Sequence, residues 1–202
     1  MDQPKTNCAV IILAAGGSTR LGRPKQLLKY EGDTLLQRAI NTAKRSDADE
    51  VVLVLGAHWE EIASETDTSG INLVVNHDWR TGVASSIVCG IEALRELSPI
   101  PSSVILTVCD QPFVTSALLN TLISEQRSTN KQIIACAYGG AIGTPVLFCS
   151  ELYDQLLLLR GDAGAKKIIK ANNENVGTVT FELGAIDVDT VADYESLINK
   201  TS

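Results

Sequence analysis

The sequence lacks the features that mark several large classes of protein. It contains no run of eighteen or more uncharged apolar residues, and its first seven residues lack the charged-then-apolar layout of a signal peptide. We therefore expect neither a membrane protein nor a secreted one, and predict a cytoplasmic location. Lys and Arg number 17 against 24 Asp and Glu, for a net charge of −7. This acidic balance argues against a nucleic-acid-binding surface, which usually shows as clustered excess positive charge.

Cysteine is also sparse, with five residues that are odd in number and form no C-x-x-C pair. This pattern argues against a zinc site and against a disulfide framework. Cys8, Cys109 and Cys136 border or lie within apolar runs, so we expect most thiols to be buried. What the chain does have is 45% hydrophobic residues over 202 positions, enough to bury a substantial core. We predict one domain, over residues 1–202.

Buried, β-rich runs alternate along the chain with segments of helical periodicity. The predicted strands are 9–13, 50–55, 71–75, 103–108, 133–137 and a shorter 145–148, and the predicted helices are 34–45, 83–94, 118–123 and 191–198. This alternation predicts an α/β fold with a doubly wound, mostly parallel sheet and helices on both faces. Ligands of such sheets bind beyond the carboxyl ends of the strands, where Gly16, Asn76 and Asp110 fall.

The segment after the first strand has the composition of a phosphate-binding loop. The apolar run ends in four small residues that let a ligand approach the backbone closely, namely Ala14, Ala15, Gly16 and Gly17. Hydroxyl side chains and then three cations follow, namely Ser18, Thr19, Arg20, Arg23 and Lys25. Backbone N–H groups, hydroxyls and cations are the groups that bind phosphate. The loop therefore predicts an anion site in an otherwise acidic protein.

Three other interpretations of this loop are possible. A P-loop would need Lys and a hydroxyl residue directly after Gly22, where the chain has Arg23-Pro24. A dinucleotide-binding fingerprint would need G-x-G-x-x-G, which residues 16–22 do not supply. A flexible turn with solvated cations is common for an isolated Gly-Gly and stays open on residue type alone.

The string from Leu13 to Lys25 resembles the L-A-A-G-x-S-x-R-x-G-x-x-K signature of MobA-like nucleotidyltransferases, closest to molybdopterin cytidylyltransferase. The resemblance runs from about residue 8 to about residue 198. It implies a Rossmann-like nucleotidyltransferase fold and transfer of a nucleoside monophosphate from an NTP to a phosphorylated acceptor, with release of pyrophosphate. It also implies Mg²⁺ as cofactor, the molybdenum cofactor precursor molybdopterin as acceptor, and a molybdoenzyme or its chaperone as partner protein.

The resemblance assigns roles to individual positions of this chain. Those implied to bind the nucleotide are Leu13, Ala14, Ala15, Gly16, Gly17, Ser18, Gly82 and Ser86. Those implied to be catalytic are Arg20, Lys25 and Asp110, with Arg20 and Lys25 neutralising charge on the triphosphate and on the leaving pyrophosphate. Because a phosphate acceptor is already ionised, no strong general base is required. On residue type alone, Ser85 and Ser86 could equally be helix caps.

Three aspartates are the candidate magnesium ligands. Asp110 follows the fourth strand and precedes a turn stiffened by Pro112, although an aspartate there could also cap the turn. Asp187 and Asp189 are two positions apart, so their side chains point the same way if the backbone is extended. Asp189 could alternatively cap the last helix. The resemblance favours metal binding for the late pair and leaves open which of the two binds.

The acceptor and the nucleotide follow from the resemblance as well. Residues 138–145 and 160–166 resemble acceptor-side segments of the molybdopterin group, with Lys166 in place of an arginine that would recognise phosphate in a bidentate manner. CTP is favoured because the guanylyl branch carries glycine at the position of Ala15. The alternatives are a transferase acting on a sugar 1-phosphate or another small acceptor, a non-catalytic nucleotide-binding accessory protein, and an oxidoreductase that uses the same fold.

Overall fold

The computed structural model describes residues 7–199, which form nine strands, seven α-helices and several short 3₁₀ turns. The strands are β1 (Cys8–Ala14), β2 (Lys29–Tyr30), β3 (Asp33–Thr34), β4 (Glu50–Leu55), β5 (Asn72–Val75), β6 (Ser103–Val108), β7 (Ile133–Tyr138), β8 (Ala141–Cys149) and β9 (Val176–Thr180). The helices are α1 (Leu35–Lys44), α2 (Trp59–Ser64), α3 (Val83–Arg95), α4 (Ser116–Thr129), α5 (Tyr153–Leu157), α6 (Lys166–Ala171) and α7 (Val191–Asn199).

Seven strands form one sheet in the order β5-β4-β1-β6-β8-β7-β9, and β2 and β3 form a separate hairpin. Strand β1 lies at the centre of the parallel part, with β4 on one side and β6 on the other. Strand β8 is antiparallel to both of its neighbours. The predicted mostly parallel α/β sheet is confirmed, and the carboxyl ends of β1, β4, β5 and β6 lie at one edge.

Helices cover both faces of this sheet, as predicted. Alternate residues of β1 point to opposite sides, Ala9 and Ile11 into one core and Val10 and Ile12 into the other. Helices α3, α5 and α6 pack on the first face, and α1, α2 and α4 pack on the second. Because β1 is buried on both faces, its sequence is continuously apolar rather than alternating.

The strand predicted at 145–148 differs most from the structure. It is part of β8, which has nine residues and runs antiparallel. The cause is the connection from β7, which consists of Gly139 and Gly140 alone, with φ values of 55° and 73°. Two residues with positive φ make the tight turn of a β-hairpin, which joins antiparallel strands.

Other elements were not predicted, because each is short or lacks clear periodicity. Strand β9 lies at the sheet edge beside β7, and a Cβ on Gly177 would come within 2.8 Å of Ile134. Gly177 therefore lets the Ile134 side chain lie directly against the strand, while Val176 and Val179 pack against the two main cores. Helices α2, α5 and α6 have five or six residues each, too few to show a helical repeat.

A small third core joins the two ends of the described chain. It contains Leu21, Leu28, Tyr30 and Leu35 from the region after β1, together with Val188 and Leu197 from the C-terminal segment. The backbone N–H of Val188 donates to the carbonyl of Asp110 at 3.0 Å. This contact places residues 187–189 beside the end of β6.

Four of the five thiols are buried as expected, and all five are free. Burial raises the pKa of Cys8 and Cys149 to about 11 and that of Cys109 and Cys136 to about 12. These thiols are therefore protonated at neutral pH and belong to the core. No helix within residues 7–199 has the length and the apolar character that crossing a bilayer requires.

Candidate active site

The loop after β1 is held by a buried glutamine. Gln26 lies in the 3₁₀ turn Lys25–Leu27 and is only 1% exposed. Its amide nitrogen donates to the carbonyls of Ala14 and Gly16, at 2.7 and 3.1 Å, and its amide oxygen accepts from Ser18 Oγ at 3.4 Å. Ser18 Oγ in turn accepts from the backbone N–H of Lys25 at 3.0 Å. The loop is thereby closed onto the turn that carries Lys25.

Four charged side chains meet beyond the carboxyl ends of β1 and β6. Lys25 Nζ donates to Asp110 Oδ2 at 2.5 Å and to Asp189 Oδ1 at 2.7 Å. The second carboxylate oxygen of Asp189 accepts from Arg20 Nη2 at 2.7 Å. The side chains of Lys25 and Asp110 are 16% and 18% exposed, whereas that of Arg20 is 67% exposed. Residues far apart in sequence thus form one cluster with an open side at Arg20.

The pKa values in this cluster follow the ion pairs. Burial lowers the pKa of Lys25, but the Asp110 charge and the hydrogen bonds to Asp110 and Asp189 outweigh burial and leave it raised. The hydrogen bond from Lys25 lowers the pKa of Asp189, and Arg20 lowers it further. Burial raises the pKa of Asp187, and the charges of Asp189 and Asp110 add to this effect.

The structure also shows which residue caps α7. Asp193 Oδ2 accepts from the backbone N–H groups of Asp189 and Thr190, and Thr190 Oγ1 accepts from the N–H of Asp193 at 3.2 Å. Thr190 and Asp193 thus cap the helix, and the carboxylate of Asp189 is directed to Lys25 and Arg20 instead.

Asp110 and Asp189 form a donor set that fits a hard divalent cation. Their oxygens converge on a single cationic atom, Lys25 Nζ. Mg²⁺ in phosphoryl-transfer sites is commonly held by one or two carboxylates together with substrate phosphates. Over residues 7–199, no group of three or more His, Cys, Asp or Glu side chains is arranged to hold a metal. An ion bound by this pair would take its other ligands from phosphate and water.

A cavity of about 380 Å³ opens beside the cluster. Residues predicted from sequence that line it are Leu13, Ala14, Ala15, Gly16, Gly17, Lys25, Gly82, Ser86 and Asp110. Residues that line it without having been predicted are Gln26, Trp79, Arg80, Val83, Val108 and Cys109, and Asp162 lines it from the segment predicted to lie on the acceptor side. Ser18 closes the loop through Gln26 and Lys25, whereas Arg20 and Asp189 connect to the cavity through Lys25.

The start of α3 forms the opposite wall of this cavity. Asn76, 5% exposed, donates through Nδ2 to Ser85 Oγ at 2.8 Å and to Ser86 Oγ at 3.0 Å. Gly82 has a φ of 112°, and a Cβ there would lie 2.4 Å from the carbonyl carbon of Gly161. Gly82 therefore allows residues 161–162 to pack against helix α3. Its predicted contact with the nucleotide is a separate role.

Trp79 was not predicted as part of the site, although it forms much of the loop's packing. A Cβ on Gly17 would lie 3.1 Å from the Trp79 ring, and a Cβ on Gly56 would lie 2.8 Å from Trp79 Cβ. The Arg80 guanidinium lies 4.8 Å from the centre of that ring. The sequence signal available was a tryptophan and an arginine in the loop between a predicted strand and a predicted helix, but nothing in their spacing connects them to the glycines.

A second cavity, of about 300 Å³, shares Leu13, Val83, Val108 and Asp162 with the first. Both predicted acceptor-side segments contribute to it, through Tyr138, Gly143, Thr144 and residues 162–166. Much of the remaining wall is aliphatic, namely Ile87, Leu106, Val146 and Ile169. The two cavities lie side by side at the carboxyl edge of the parallel strands.

The sheet, its helices on both faces and the glycine-rich loop at its carboxyl edge define a nucleotidyltransferase. The chain belongs to the MobA-like NTP transferase family, whose domain model matches residues 10–176. The predicted resemblance is thereby confirmed. Asp187 and Asp189 lie beyond the matched range.

Individual relatives cover nearly the whole chain. It is 31% identical over 199 residues to nicotine blue oxidoreductase of Paenarthrobacter nicotinovorans, covering 93% of this chain and 95% of the relative. It is 25% identical to purine catabolism protein PucB of Bacillus subtilis, covering 92% and 93%.

Solved structures show the same similarity. Rv0371c of Mycobacterium tuberculosis H37Rv superposes with a TM-score of 0.83 at 28% identity, covering 98% of this chain and 100% of that one. A complex of Rv0371c with manganese superposes with a TM-score of 0.79 at 28% identity, covering 96% and 99%.

Proposed function

We propose that the protein transfers a nucleoside monophosphate, CMP in preference to others, from an NTP to a phosphorylated acceptor in a reaction that requires Mg²⁺. The favoured acceptor is molybdopterin or the molybdenum cofactor. The observation that carries the proposal is the convergence of Lys25, Asp110 and Asp189 beside a cavity lined by the glycine-rich loop. Cations for phosphate and carboxylates for a divalent ion are the two requirements of nucleotidyl transfer.

In the proposed reaction, an oxygen of the acceptor phosphate attacks the α-phosphorus of the NTP in line with the departing pyrophosphate. One P–O bond forms as the bond to the β-phosphate breaks, and the pyrophosphate leaves with the electron pair. Lys25 and Arg20 bind the triphosphate and stabilise the charge that develops on the leaving group. A phosphate acceptor is already ionised, so no residue has to remove a proton.

The divalent ion would be held by Asp110 and Asp189, and Asp187 is proposed as the alternative late carboxylate. When bound, such an ion neutralises phosphate oxygens and orients the triphosphate. A divalent cofactor is supported by the relative Rv0371c, which was solved in complex with manganese. Magnesium is the proposed ion in this protein.

The second cavity supports an acceptor with a flat, extended ring system, whose faces would pack against aliphatic side chains. Its wall is largely aliphatic, whereas a sugar 1-phosphate would need polar partners for several hydroxyl groups. Lys166 supplies a cation for the acceptor's anionic group. CTP is favoured by the sequence Leu13-Ala14-Ala15-Gly16, and Ala15 lines the first cavity, where the nucleotide would bind.

The test is pyrophosphate release measured with each of the four NTPs against a panel of phosphorylated acceptors. We expect the highest rate with CTP and molybdopterin, and a loss on the order of 10² to 10³ in rate for Asp110→Ala. Asp154→Ala is the control, because Asp154 is an exposed carboxylate paired with Arg95. GTP used better than CTP would reject the CTP assignment, and no release from any pair would reject the transfer reaction.

A second candidate is an oxidoreductase, which the similarity to a relative named nicotine blue oxidoreductase favours. Oxidation of NAD(P)H in the presence of a planar aromatic acceptor would support it, and the absence of such oxidation together with pyrophosphate release would exclude it. The expected cytoplasmic location, the single domain over 1–202 and a molybdoenzyme or its chaperone as partner stay predictions.

A further inference from the structure

The carboxamide of Gln26 contacts three points of the phosphate loop. Its two N–H bonds are both used, one on the carbonyl of Ala14 and one on the carbonyl of Gly16. Its oxygen accepts from Ser18 Oγ. Because the side chain is 1% exposed, these hydrogen bonds are shielded from competition with water.

These contacts fix the orientation of two peptide planes. In a trans peptide, the carbonyl of one residue and the N–H of the next point in opposite directions. Holding the Ala14 and Gly16 carbonyls on Gln26 therefore directs the N–H groups of Ala15 and Gly17 away from it. Gly17 has no side chain to restrict these planes, so the orientation depends on the hydrogen bonds.

We propose that Gln26 is a positioning residue that presents the N–H groups of Ala15 and Gly17 to the triphosphate and sets the loop at a fixed distance from Lys25. The inference rests on the proposed function. A glutamine suits this place because it has two donors for two carbonyls on one neutral group. Glutamate at the same place would direct negative charge at carbonyl oxygens and add charge near an anionic ligand.

The experiment compares wild type with Gln26→Met and Gln26→Glu. Methionine keeps the length of the side chain but cannot donate to either carbonyl. Gln37→Met is the matched control, because Gln37 in helix α1 also uses its amide in hydrogen bonds, to Asn41 and Asp67, but does not contact the phosphate loop or line its cavity. The probes are magnesium tripolyphosphate in calorimetry and, in kinetics, the NTP and acceptor pair with the highest rate.

We expect Gln26→Met to weaken tripolyphosphate binding at least about tenfold, with a larger loss for Gln26→Glu. We also expect kcat to fall on the order of 10²-fold for Gln26→Met, because misplaced phosphates lose alignment. The KM for the acceptor should not change. A general loss of structure would change this KM as well, so the measurement separates the two explanations. Gln37→Met should match wild type in all three measurements.

A measurement on the wild type keeps the inference testable if the variants do not fold. The backbone ¹H–¹⁵N resonances of Ala15 and Gly17 should shift when magnesium tripolyphosphate is added. Unshifted resonances would overturn the inference, and so would a folded Gln26→Met protein with wild-type tripolyphosphate affinity and kcat. In either case, pyrophosphate release by the wild type would still support the proposed function. A wild type that neither binds tripolyphosphate nor releases pyrophosphate would overturn both.

Discussion

In the proposed reaction, the ammonium group of Lys25 has two competing partners, the carboxylates of the site and the triphosphate. Its ammonium group satisfies both Asp110 and Asp189, yet in the proposed reaction it also has to bind the triphosphate. A divalent ion needs the same carboxylate oxygens that Lys25 now occupies. In the proposed reaction, a bound nucleotide would draw Lys25 towards phosphate and would thereby favour binding of the ion.

Removal of the ammonium group should reveal this competition. We expect Lys25→Met, without nucleotide, to bind Mn²⁺ about tenfold more tightly than wild type, since about 1.4 kcal/mol of competing interaction is removed. Electron paramagnetic resonance of free Mn²⁺ measures the affinity. The control is Lys44→Met, which removes an exposed lysine bonded to the Ser69 carbonyl. Equal or weaker Mn²⁺ binding by Lys25→Met would show that the lysine does not block the carboxylates.

The two late aspartates should respond to pH in opposite ways. The pKa of Asp189 is lowered from 3.8, so its charge stabilises the fold above that pH, and this contribution is lost as the pH falls through the lowered pKa. The pKa of Asp187 is raised from 3.8, so its charge destabilises the fold at neutral pH, and this cost disappears as the pH falls below 3.8.

We therefore expect Asp187→Asn to raise the Tm at pH 7 by about 1–2 °C and Asp189→Asn to lower it by a similar amount. The Asp187→Asn difference should disappear as the pH falls below 3.8, whereas the Asp189→Asn difference should persist to lower pH, which thermal unfolding at several pH values measures. If Asp187→Asn lowers the Tm at pH 7, the carboxylate is stabilised by contacts other than those described above.

The packing of residues 160–166 against the start of helix α3 determines the shape of both cavities. The backbone N–H of Ala84 donates to the Gly161 carbonyl at 3.1 Å, and Asp162 lines both cavities. This contact is possible only because position 82 has no side chain.

Gly82→Ala should therefore destabilise the fold and disturb the site together. We expect a loss of about 2 kcal/mol or more in the free energy of unfolding, from the steric overlap with Gly161 and the positive φ. Gly70→Ala is the control for a positive φ without steric overlap, because Gly70 has a φ of 70° but nothing within 4 Å of an added Cβ. Chemical denaturation measures both, and an equal loss in the two variants would argue against tight packing at Gly82.

Elements with strong periodicity could be predicted from the sequence, and others could not. The bounds of β4 and β6 match the predicted 50–55 and 103–108, because buried parallel strands are continuous apolar runs. The direction of β8 was missed, although the two glycines before it are a hairpin signal. Asp110 was found from its place at a strand end, whereas Trp79 reaches Gly17 only through the fold.

The small third core packs the region after β1 against the C-terminal segment of the described chain. Leu21 and Leu28 flank the turn that carries Lys25, and Val188 lies directly before Asp189. Lysine and carboxylate therefore approach each other because apolar side chains beneath them pack together. The main cores on the two faces of the sheet do not contain these residues.

Leu197→Ala should loosen this coupling without unfolding the sheet. Leu197 is 1% exposed in the third core, and truncation of a buried leucine costs about 2–5 kcal/mol. We expect faster hydrogen exchange in residues 18–30 and 188–199, little change in β1 and β6, and a fall in pyrophosphate release. Leu122→Ala is the matched control, because Leu122 is fully buried in a main core and its loss should weaken the sheet as a whole. If hydrogen exchange became faster by the same factor in all segments of both variants, the third core would not be a separate unit. The site would then depend on the stability of the whole fold.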